Sequence, residues 1–185
     1  ARRELERAAA APAATAAAAN DKASALARLG RSDEAAALWR ALLRDEPGFA
    51  RAWHNLASLA LARRDWAEAE RLARAAVERD PGLAGAWNNL GIAAEEQGRA
   101  AEAESAYRQA LVADPGELRA LFNLGQLQRK AGHFAEAAAT QERLLAAAPA
   151  HAGAHFELGA LCAGPLGRPD EGRAHLRRAI ELEPG

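Results

Sequence analysis

Side chains that could act as a catalytic nucleophile are few in this sequence. Cys162 is the single cysteine and Tyr107 the single tyrosine. Covalent catalysis requires a nucleophile, a base and oxyanion donors that converge on one point, and no motif here combines them. Cys162 also falls among small residues expected to pack between helices, so we predict a buried, inert thiol. We therefore expect no catalytic site and no enzyme activity. The candidate hydroxyl nucleophiles are Ser24, Ser32, Ser58 and Ser105.

Two histidines have a spacing that could bind a metal ion. His151 and His155 are four residues apart, which places two ligands on one face of a helix. However, Pro149 and a predicted turn come just before them, and only Glu157 lies in a register that could add a third ligand. We therefore predict no metal site, and nothing in the sequence implies a cofactor.

Three asparagines recur at a constant interval and could bind a peptide backbone. Asn55, Asn89 and Asn123 are 34 residues apart. A carboxamide offers both a hydrogen-bond donor and an acceptor, so a ladder of them could pair with an extended chain without reading its side chains. The alternative is that asparagine occupies this column for local structural reasons. Both interpretations stay open at this point.

Further candidate contacts lie beside these asparagines. Phe122, Ile92 and Phe156 could form an apolar strip, and buried aromatic residues are common affinity anchors. Alternatively, neighbouring parts of the chain cover them. The complete set of predicted partner-binding residues is Asn55, Asn89, Asn123, Phe122, Ile92, Arg119, Asn88, His54 and Phe156.

The elements that must position these residues are indicated by evenly spaced prolines. Successive intervals between them are 35, 34, 34, 34 and 35 residues. A fixed period of about 20–50 residues indicates a repeat architecture. We therefore expect each interval to hold one structural unit. The prolines are Pro12, Pro47, Pro81, Pro115, Pro149 and Pro184.

Each interval reads as two helices joined by a tight turn. In the third unit, glycine at position 98 is expected to stop the first helix in the left-handed conformation, and Pro115 ends the second helix. Gly30, Gly132 and Gly167 mark the same inner turn elsewhere. Arg64 replaces this glycine in the second unit, which we expect to cost about 1 kcal/mol if the turn stays left-handed.

Small residues recur where the two helices of a unit must touch. One column lies on the first helices and another on the second helices, and together they predict close approach of helix axes. The first column is Ala23, Ala57, Gly91, Gly125 and Gly159, and the second is Ala35, Ala69, Ala103, Ala137 and Gly172.

These columns resemble the tetratricopeptide repeat pattern, W-x2-L-G-x2-Y, then A-x3-F, then P. The third unit carries it most completely, with Trp87, Leu90, Gly91, Ala103, Tyr107 and Pro115. The resemblance implies an all-α, right-handed superhelical solenoid of antiparallel helix pairs, whose concave groove is lined by the first helices. The asparagine ladder is similar to that of the repeat domain in O-linked N-acetylglucosamine transferases.

The resemblance divides the chain into five predicted repeats, at residues 16–49, 50–83, 84–117, 118–151 and 152–185. Residues 1–15 read as the second helix of a truncated preceding repeat plus a turn, so we expect the chain to be a segment of a larger protein. The favoured function is a non-catalytic protein-interaction scaffold that binds a peptide or partner segment in the groove. The alternatives are a targeting or substrate-binding module of a larger enzyme, such as a glycosyltransferase, and a self-assembling module that associates through its end repeats.

The charge balance disfavours nucleic acid as a partner. The chain has 24 basic and 25 acidic residues, a formal net charge of −1, and lacks the basic surface that nucleic-acid binders show. Pentatricopeptide repeats bind RNA with a similar 35-residue period, but the tetratricopeptide columns fit this sequence better. No apolar run approaches the ~20 residues of a membrane span. We therefore expect a soluble chain with protein or peptide partners and no membrane span. The sequence leaves the compartment open, with the cytoplasm favoured slightly over the periplasm.

Overall fold

The structure is a computed structural model that describes residues 2–11 and 15–183. Within those residues the regular secondary structure is entirely α-helical, which confirms the predicted fold class. The predictions at Pro12 and Pro184 lie outside the described residues. The helices are α1 (Arg2–Ala10), α2 (Ala16–Arg28), α3 (Ser32–Asp45), α4 (Ala50–Ala62), α5 (Trp66–Arg79), α6 (Ala84–Glu96), α7 (Ala100–Ala113), α8 (Leu118–Lys130), α9 (Phe134–Ala147), α10 (Ala152–Ala163) and α11 (Pro169–Leu182).

The helices form two compact units, one extending to Arg99 and the other beginning at Ala100. In the first unit, α2 packs against α3 and α4 against α5; in the second, α8 packs against α9 and α10 against α11. Connections of a few residues force each of these pairs to run antiparallel. Each second helix also contacts the first helix that follows it within the same unit, so the pairs are stacked in sequence order.

The inner turns adopt the left-handed conformation that the sequence predicted. Gly98 has φ = 76° and Arg64, which replaces the glycine in the second repeat, has φ = 58°. The same capping hydrogen bond closes both turns: the Arg99 amide donates to the Ala94 carbonyl at 2.9 Å, and the Asp65 amide to the Ala60 carbonyl at 3.0 Å. Arg64 therefore keeps the turn geometry while carrying the steric cost that an L-residue has in this region.

Alanine lets the helices of the first unit approach closely. Ala23 and Ala57 on the first helices and Ala35 and Ala69 on the second helices are completely buried. Because alanine fills little volume, larger side chains such as Trp39 close the space between these contacts. The small-residue columns therefore lie in the helix interfaces, as the sequence predicted.

Glycine has the same role in the second unit. A Cβ atom added to Gly172 on α11 would lie 2.5 Å from the Ala163 backbone nitrogen, and one added to Gly159 on α10 would lie 3.0 Å from the Leu176 backbone nitrogen. Backbone atoms cannot rotate away, so a side chain at Gly172 would push the two helices apart, and one at Gly159 would be tightly crowded. The α10–α11 pair is consequently fixed at backbone contact distance, next to a buried cluster that includes Leu158, Leu161 and Cys162.

Candidate partner-binding surfaces

The first helices of the first unit are joined by a buried amide–indole network. The Asn20 side-chain carbonyl accepts hydrogen bonds from the Trp39 indole Nε1 at 3.1 Å and from the Asn55 Nδ2 at 2.8 Å. Asn20 is buried, and Asn55 is half-buried. One of the two N–H donors of the Asn55 carboxamide thus ties α4 to α2, and the Trp39 indole ties α3 to the same Asn20 oxygen.

Asn89 is held in a similar way. Its Nδ2 lies 2.8 Å from the Ser58 Oγ, 3.3 Å from the His54 Nδ1 and 3.4 Å from the His54 carbonyl oxygen, all on α4. Asn89 is only 2% exposed. The Nδ2 of Asn89 is therefore engaged with α4, and almost none of this side chain is accessible to a partner.

The remaining predicted residues of the first unit differ in accessibility. Asn88 is 1% exposed, whereas His54 and Ile92 are half-buried. The expectation that Asn88 and Asn89 present their carboxamides to solvent is therefore not met, because the surrounding helices cover them. His54, Asn55 and Ile92 keep part of their surface accessible.

The second unit exposes aromatic surface on its first helices. Phe156 on α10 is 57% exposed, and Phe122 on α8 occupies the same register one repeat earlier. The Phe122 ring contacts the His151 ring at 5.2 Å between centroids and packs against a buried cluster that includes Leu144. A Cβ atom on Gly153 would lie 3.2 Å from the Phe122 ring. The missing side chain at Gly153 thus makes room for Phe122 beside α10.

Polar groups flank these two rings. The Arg119 guanidinium is exposed and pairs with Glu117 at 3.0 Å. Asn123 is half-buried on α8. Glu157 on α10 is almost completely buried, and its carboxylate accepts a hydrogen bond from Gln126 at 3.1 Å and forms an ion pair with Arg129 at 2.8 Å. Hence the second unit combines accessible aromatic rings with a fixed polar network.

Glu157 is not among the nine residues predicted from the sequence, although the sequence contains a signal for it. It lies 34 residues after Asn123 and therefore occupies the next position of the asparagine column. Its side chain bridges α10 to α8 through Gln126 and Arg129, as Asn55 and Asn89 bridge their helices. The column is thus a position for polar side chains that join consecutive first helices.

Cys162 and His151, which the sequence analysis considered for catalysis and metal binding, take part in packing and in helix capping. Cys162 is completely buried, and burial raises the pKa of its thiol, with the nearby Glu171 carboxylate adding to the effect. The prediction of a buried thiol is confirmed. His151 caps α10 by accepting a hydrogen bond from the Ala154 amide at 3.1 Å. Among the described residues there is no cluster of three or more metal-ligating side chains, and no helix combines the length and apolarity needed to cross a bilayer.

Solved structures with similar folds extend over nearly the whole chain. The crystal structure of MamA has 21% sequence identity and a TM-score of 0.74, covering 89% of this chain and 94% of that chain. YrrB, described as a TPR protein with an unusual peptide-binding site, has 18% identity and a TM-score of 0.69, covering 100% and 94%. PilF of Pseudomonas aeruginosa has 17% identity and a TM-score of 0.81, covering 92% and 78%. At these identities the similarity shows the fold alone.

Sequence comparison identifies the family. Two tetratricopeptide repeat family models match, one at residues 20–84 and 54–117 and the other at residues 94–163. No curated protein matches the sequence. The family matches cover more than half of the chain, and they agree with the helix pairs and left-handed inner turns described above. The chain therefore belongs to the tetratricopeptide repeat family, whose members are protein–protein interaction scaffolds and generally non-catalytic.

Proposed function

We propose that this chain binds an extended segment of a partner protein across the first helices of its repeats, and that α8 and α10 supply the main anchor. The supporting observation is Phe156, a large apolar side chain that is 57% exposed at the register of Phe122. Phe122, at the equivalent position of the preceding repeat, is half-buried and keeps part of its ring accessible. Apolar surface that stays accessible at the same position of consecutive repeats is a candidate for contact with a partner.

The surroundings of Phe156 suit an apolar side chain from a partner. Ala160, one turn after Phe156 on α10, is exposed and has only a methyl side chain, whereas the Phe122 ring covers Gly153, one turn before it. A partner residue can therefore approach α10 beside Ala160 and contact Phe156. Truncating a central aromatic anchor of this kind commonly costs about 2 kcal/mol or more of binding free energy.

Polar contacts would fix the direction of the bound segment. Arg119 lies one turn before Phe122 on α8, and its guanidinium offers several donors to carbonyl or carboxylate oxygens. Asn123, adjacent to Phe122, is the position at which the sequence predicts pairing with a peptide backbone. In the first unit, Asn55, His54 and Ile92 are the predicted contact residues that keep accessible surface, whereas Asn89 would act mainly by holding α6 against α4.

A photo-crosslinking experiment tests this proposal. The photoreactive amino acid p-benzoylphenylalanine would replace Phe156 in one variant and Val112 in a control variant, since Val112 on α7 is 75% exposed and lies on a second helix. We expect crosslinks to a bound protein partner from position 156 and none from position 112. For the crosslinked partner, Phe156→Ser should weaken binding at least about tenfold, equivalent to ~1.4 kcal/mol, while Val112→Ser leaves it unchanged.

Two outcomes would contradict the proposal. One is equal crosslinking from positions 112 and 156, which would show no preference for the first helices. The other is a partner retained by the chain with unchanged affinity after Phe156→Ser. Membership of a larger enzyme and self-association through the end repeats stay predictions that these experiments do not address.

A further inference from the structure

A second candidate site lies in the first unit, in a cleft between α3, α4 and α5. The cleft has a volume of about 370 Å³, within the range of about 300–1,000 Å³ typical of ligand pockets. Its floor is apolar and includes Leu43 on α3, Leu59 on α4 and Leu72 on α5, with Trp53 and Leu56 beside them. The cleft is therefore a concave apolar surface that no part of the described chain fills.

The cleft uses a different face of α4 from the proposed partner-binding surface. Trp53, Leu56, Ala60 and Arg63 line it, and their spacing of three or four residues places them on one stripe of the helix. Successive residues of an α-helix are rotated by about 100° around its axis, so Ser58 lies on the side of α4 opposite this stripe. There its hydroxyl accepts a hydrogen bond from Asn89 on α6. A ligand in the cleft would thus contact residues other than those proposed above.

The rim of the cleft carries an excess of positive charge. Its lining contains four arginines and two carboxylates, a net charge of +2. Glu68 is neutralised by Arg71, whose guanidinium donates to both carboxylate oxygens at 2.6 and 2.7 Å. These hydrogen bonds lower the pKa of Glu68, so the pair stays ionised. Arg63 pairs with Asp33 outside the cleft lining at 2.6 Å. The four arginines are Arg40, Arg44, Arg63 and Arg71, and the carboxylates are Asp65 and Glu68.

The excess charge is contributed by two arginines of α3. Arg40 and Arg44 are one turn apart and exposed, and neither has a direct ion pair or hydrogen bond within the described part of the chain. The charge of Arg40 acts on Glu68 as the smallest of the causes that lower the pKa of that carboxyl. Asp65, the remaining carboxylate, caps α5 by accepting a hydrogen bond from the Glu68 amide at 3.2 Å. The cleft therefore presents two available guanidinium groups at the edge of an apolar floor.

We propose that this cleft binds an acidic segment of a partner protein, with an apolar side chain on the leucine floor and carboxylates on Arg40 and Arg44. Arginine pairs with carboxylates in a bidentate, charge-assisted geometry, which matches two guanidinium groups spaced one helical turn apart. An apolar floor alone would accept any hydrophobic segment. The net positive rim selects an acidic one and repels a basic one.

Peptide selection tests the proposal with the whole chain. A random peptide library displayed on phage would be selected on the wild-type chain and depleted on the double variant Arg40→Glu/Arg44→Glu. We expect the selected peptides to combine at least one large apolar residue with acidic residues. In calorimetric titration they should bind the double variant at least about tenfold more weakly than wild type, and their affinity should fall as salt is raised.

A matched control separates this effect from a change of net charge. Arg143→Glu/Arg177→Glu makes the same charge change on α9 and α11 in the second unit, and circular dichroism would verify the helicity of both double variants. Peptide binding should be unaffected by this control and by Phe156→Ser. Phe156 does not line the cleft. Phe156→Ser therefore tests the proposed function alone, and Arg40→Glu/Arg44→Glu tests the cleft alone.

Three results would overturn the proposal. Selected peptides without an acidic bias would show that the arginines do not choose the ligand. Equal affinity for wild type and Arg40→Glu/Arg44→Glu would place binding elsewhere. Concentration-dependent dimerisation that the double variant abolishes would show that a second copy of this chain, rather than an acidic segment of another protein, occupies the cleft.

Discussion

The carboxylate of Glu70 allows a quantitative test of how the repeats of the first unit are joined. Glu70 on α5 accepts hydrogen bonds from Arg99 and from Gln97 at 3.1 Å, both at the end of the next repeat's first helix, and from Arg74 at 2.8 Å. Its side chain is 19% exposed. The Arg99 hydrogen bond is the main reason that the pKa of Glu70 falls from 4.5 to about 2. We predict that Glu70→Gln destabilises the first unit.

The size and pH dependence of this effect follow from the pKa difference. The folded state releases the Glu70 proton more readily than the unfolded state, so the interaction stabilises the fold above pH 4.5 and is lost as the pH falls towards 2. At about 1.4 kcal/mol per pKa unit, the ceiling is about 3 kcal/mol. Solvent screening of the partly exposed carboxylate reduces this, and we expect about 1–2 kcal/mol at neutral pH.

Urea unfolding followed by tryptophan fluorescence provides the measurement. All four tryptophans lie before Arg99, so the signal reports the first unit alone. The free-energy difference between wild type and Glu70→Gln should be present at pH 6 and should shrink at pH 3. Glu78→Gln, on the exposed face of the same helix, is the control and should have no such pH-dependent effect. If Glu70→Gln lowered the free energy of unfolding equally at pH 6 and pH 3, the ionised Glu70 carboxylate would not be the stabilising group.

Three further substitutions test individual features of the fold. Arg64→Gly should stabilise the first unit by about 1 kcal/mol, because φ = 58° strains an L-residue; an unchanged urea midpoint would argue against strain there. Gly172→Ala should destabilise the chain by about 1–3 kcal/mol, since its Cβ would meet backbone, whereas Gly48→Ala, with open space, should change stability by less than about 0.5 kcal/mol in thermal unfolding. Asn20→Ala should cost about 1–3 kcal/mol by leaving the buried Trp39 indole without its acceptor, and an unshifted fluorescence maximum together with unchanged stability would contradict this.

Features of the backbone could be predicted from the sequence because they depend on local conformation. Glycine at position 98 permits a left-handed turn at little steric cost, and Arg64 in the equivalent position adopts the same φ region because the helices on either side of the turn require it. Small residues such as Ala57 likewise predict a close contact between two helices, since only alanine or glycine occurs at the equivalent position of the other repeats. The all-α fold could therefore be derived from period, glycine, alanine and proline alone.

The roles of the asparagines could not be derived in this way. A carboxamide can pair with a peptide or with a neighbouring helix, and the choice depends on distances between helices that are far apart in sequence. Asn55 donates to Asn20, 35 residues earlier, and Asn89 donates to Ser58, 31 residues earlier. Asn89 also contacts His54, 35 residues earlier, so the residue at the same offset is an asparagine in one repeat and a histidine in the next. Periodicity therefore identified a column of polar residues but not the partners of its members.

Trp53 and Trp87 occupy equivalent positions in consecutive repeats, and their shared hydrogen bond could not be predicted from the repeat pattern. The indole Nε1 of Trp53 donates to the Pro47 carbonyl at 2.9 Å, and Trp87 makes the same bond to Pro81. In the last repeat the residue is His155, whose Nε2 lies 3.0 Å from the carbonyl of the corresponding proline. A carbonyl can only accept, so this Nε2 carries the hydrogen and takes the place of the indole N–H. The fourth repeat has Leu121 at this position, so the ring N–H donor recurs in the second, third and fifth repeats only.

That assignment also fixes the contact on the other side of the imidazole. Where Nε2 carries the only ring hydrogen of His155, its Nδ1 is an acceptor. This Nδ1 lies 2.9 Å from the Nδ1 of His175 on α11, which is then the donor. Burial is the main cause that lowers the pKa of His175, and its Nδ1 can donate from the neutral or the protonated ring. Histidine thus replaces the tryptophan hydrogen bond to the preceding repeat and adds one to its own second helix, which an indole, having no acceptor nitrogen, could not make.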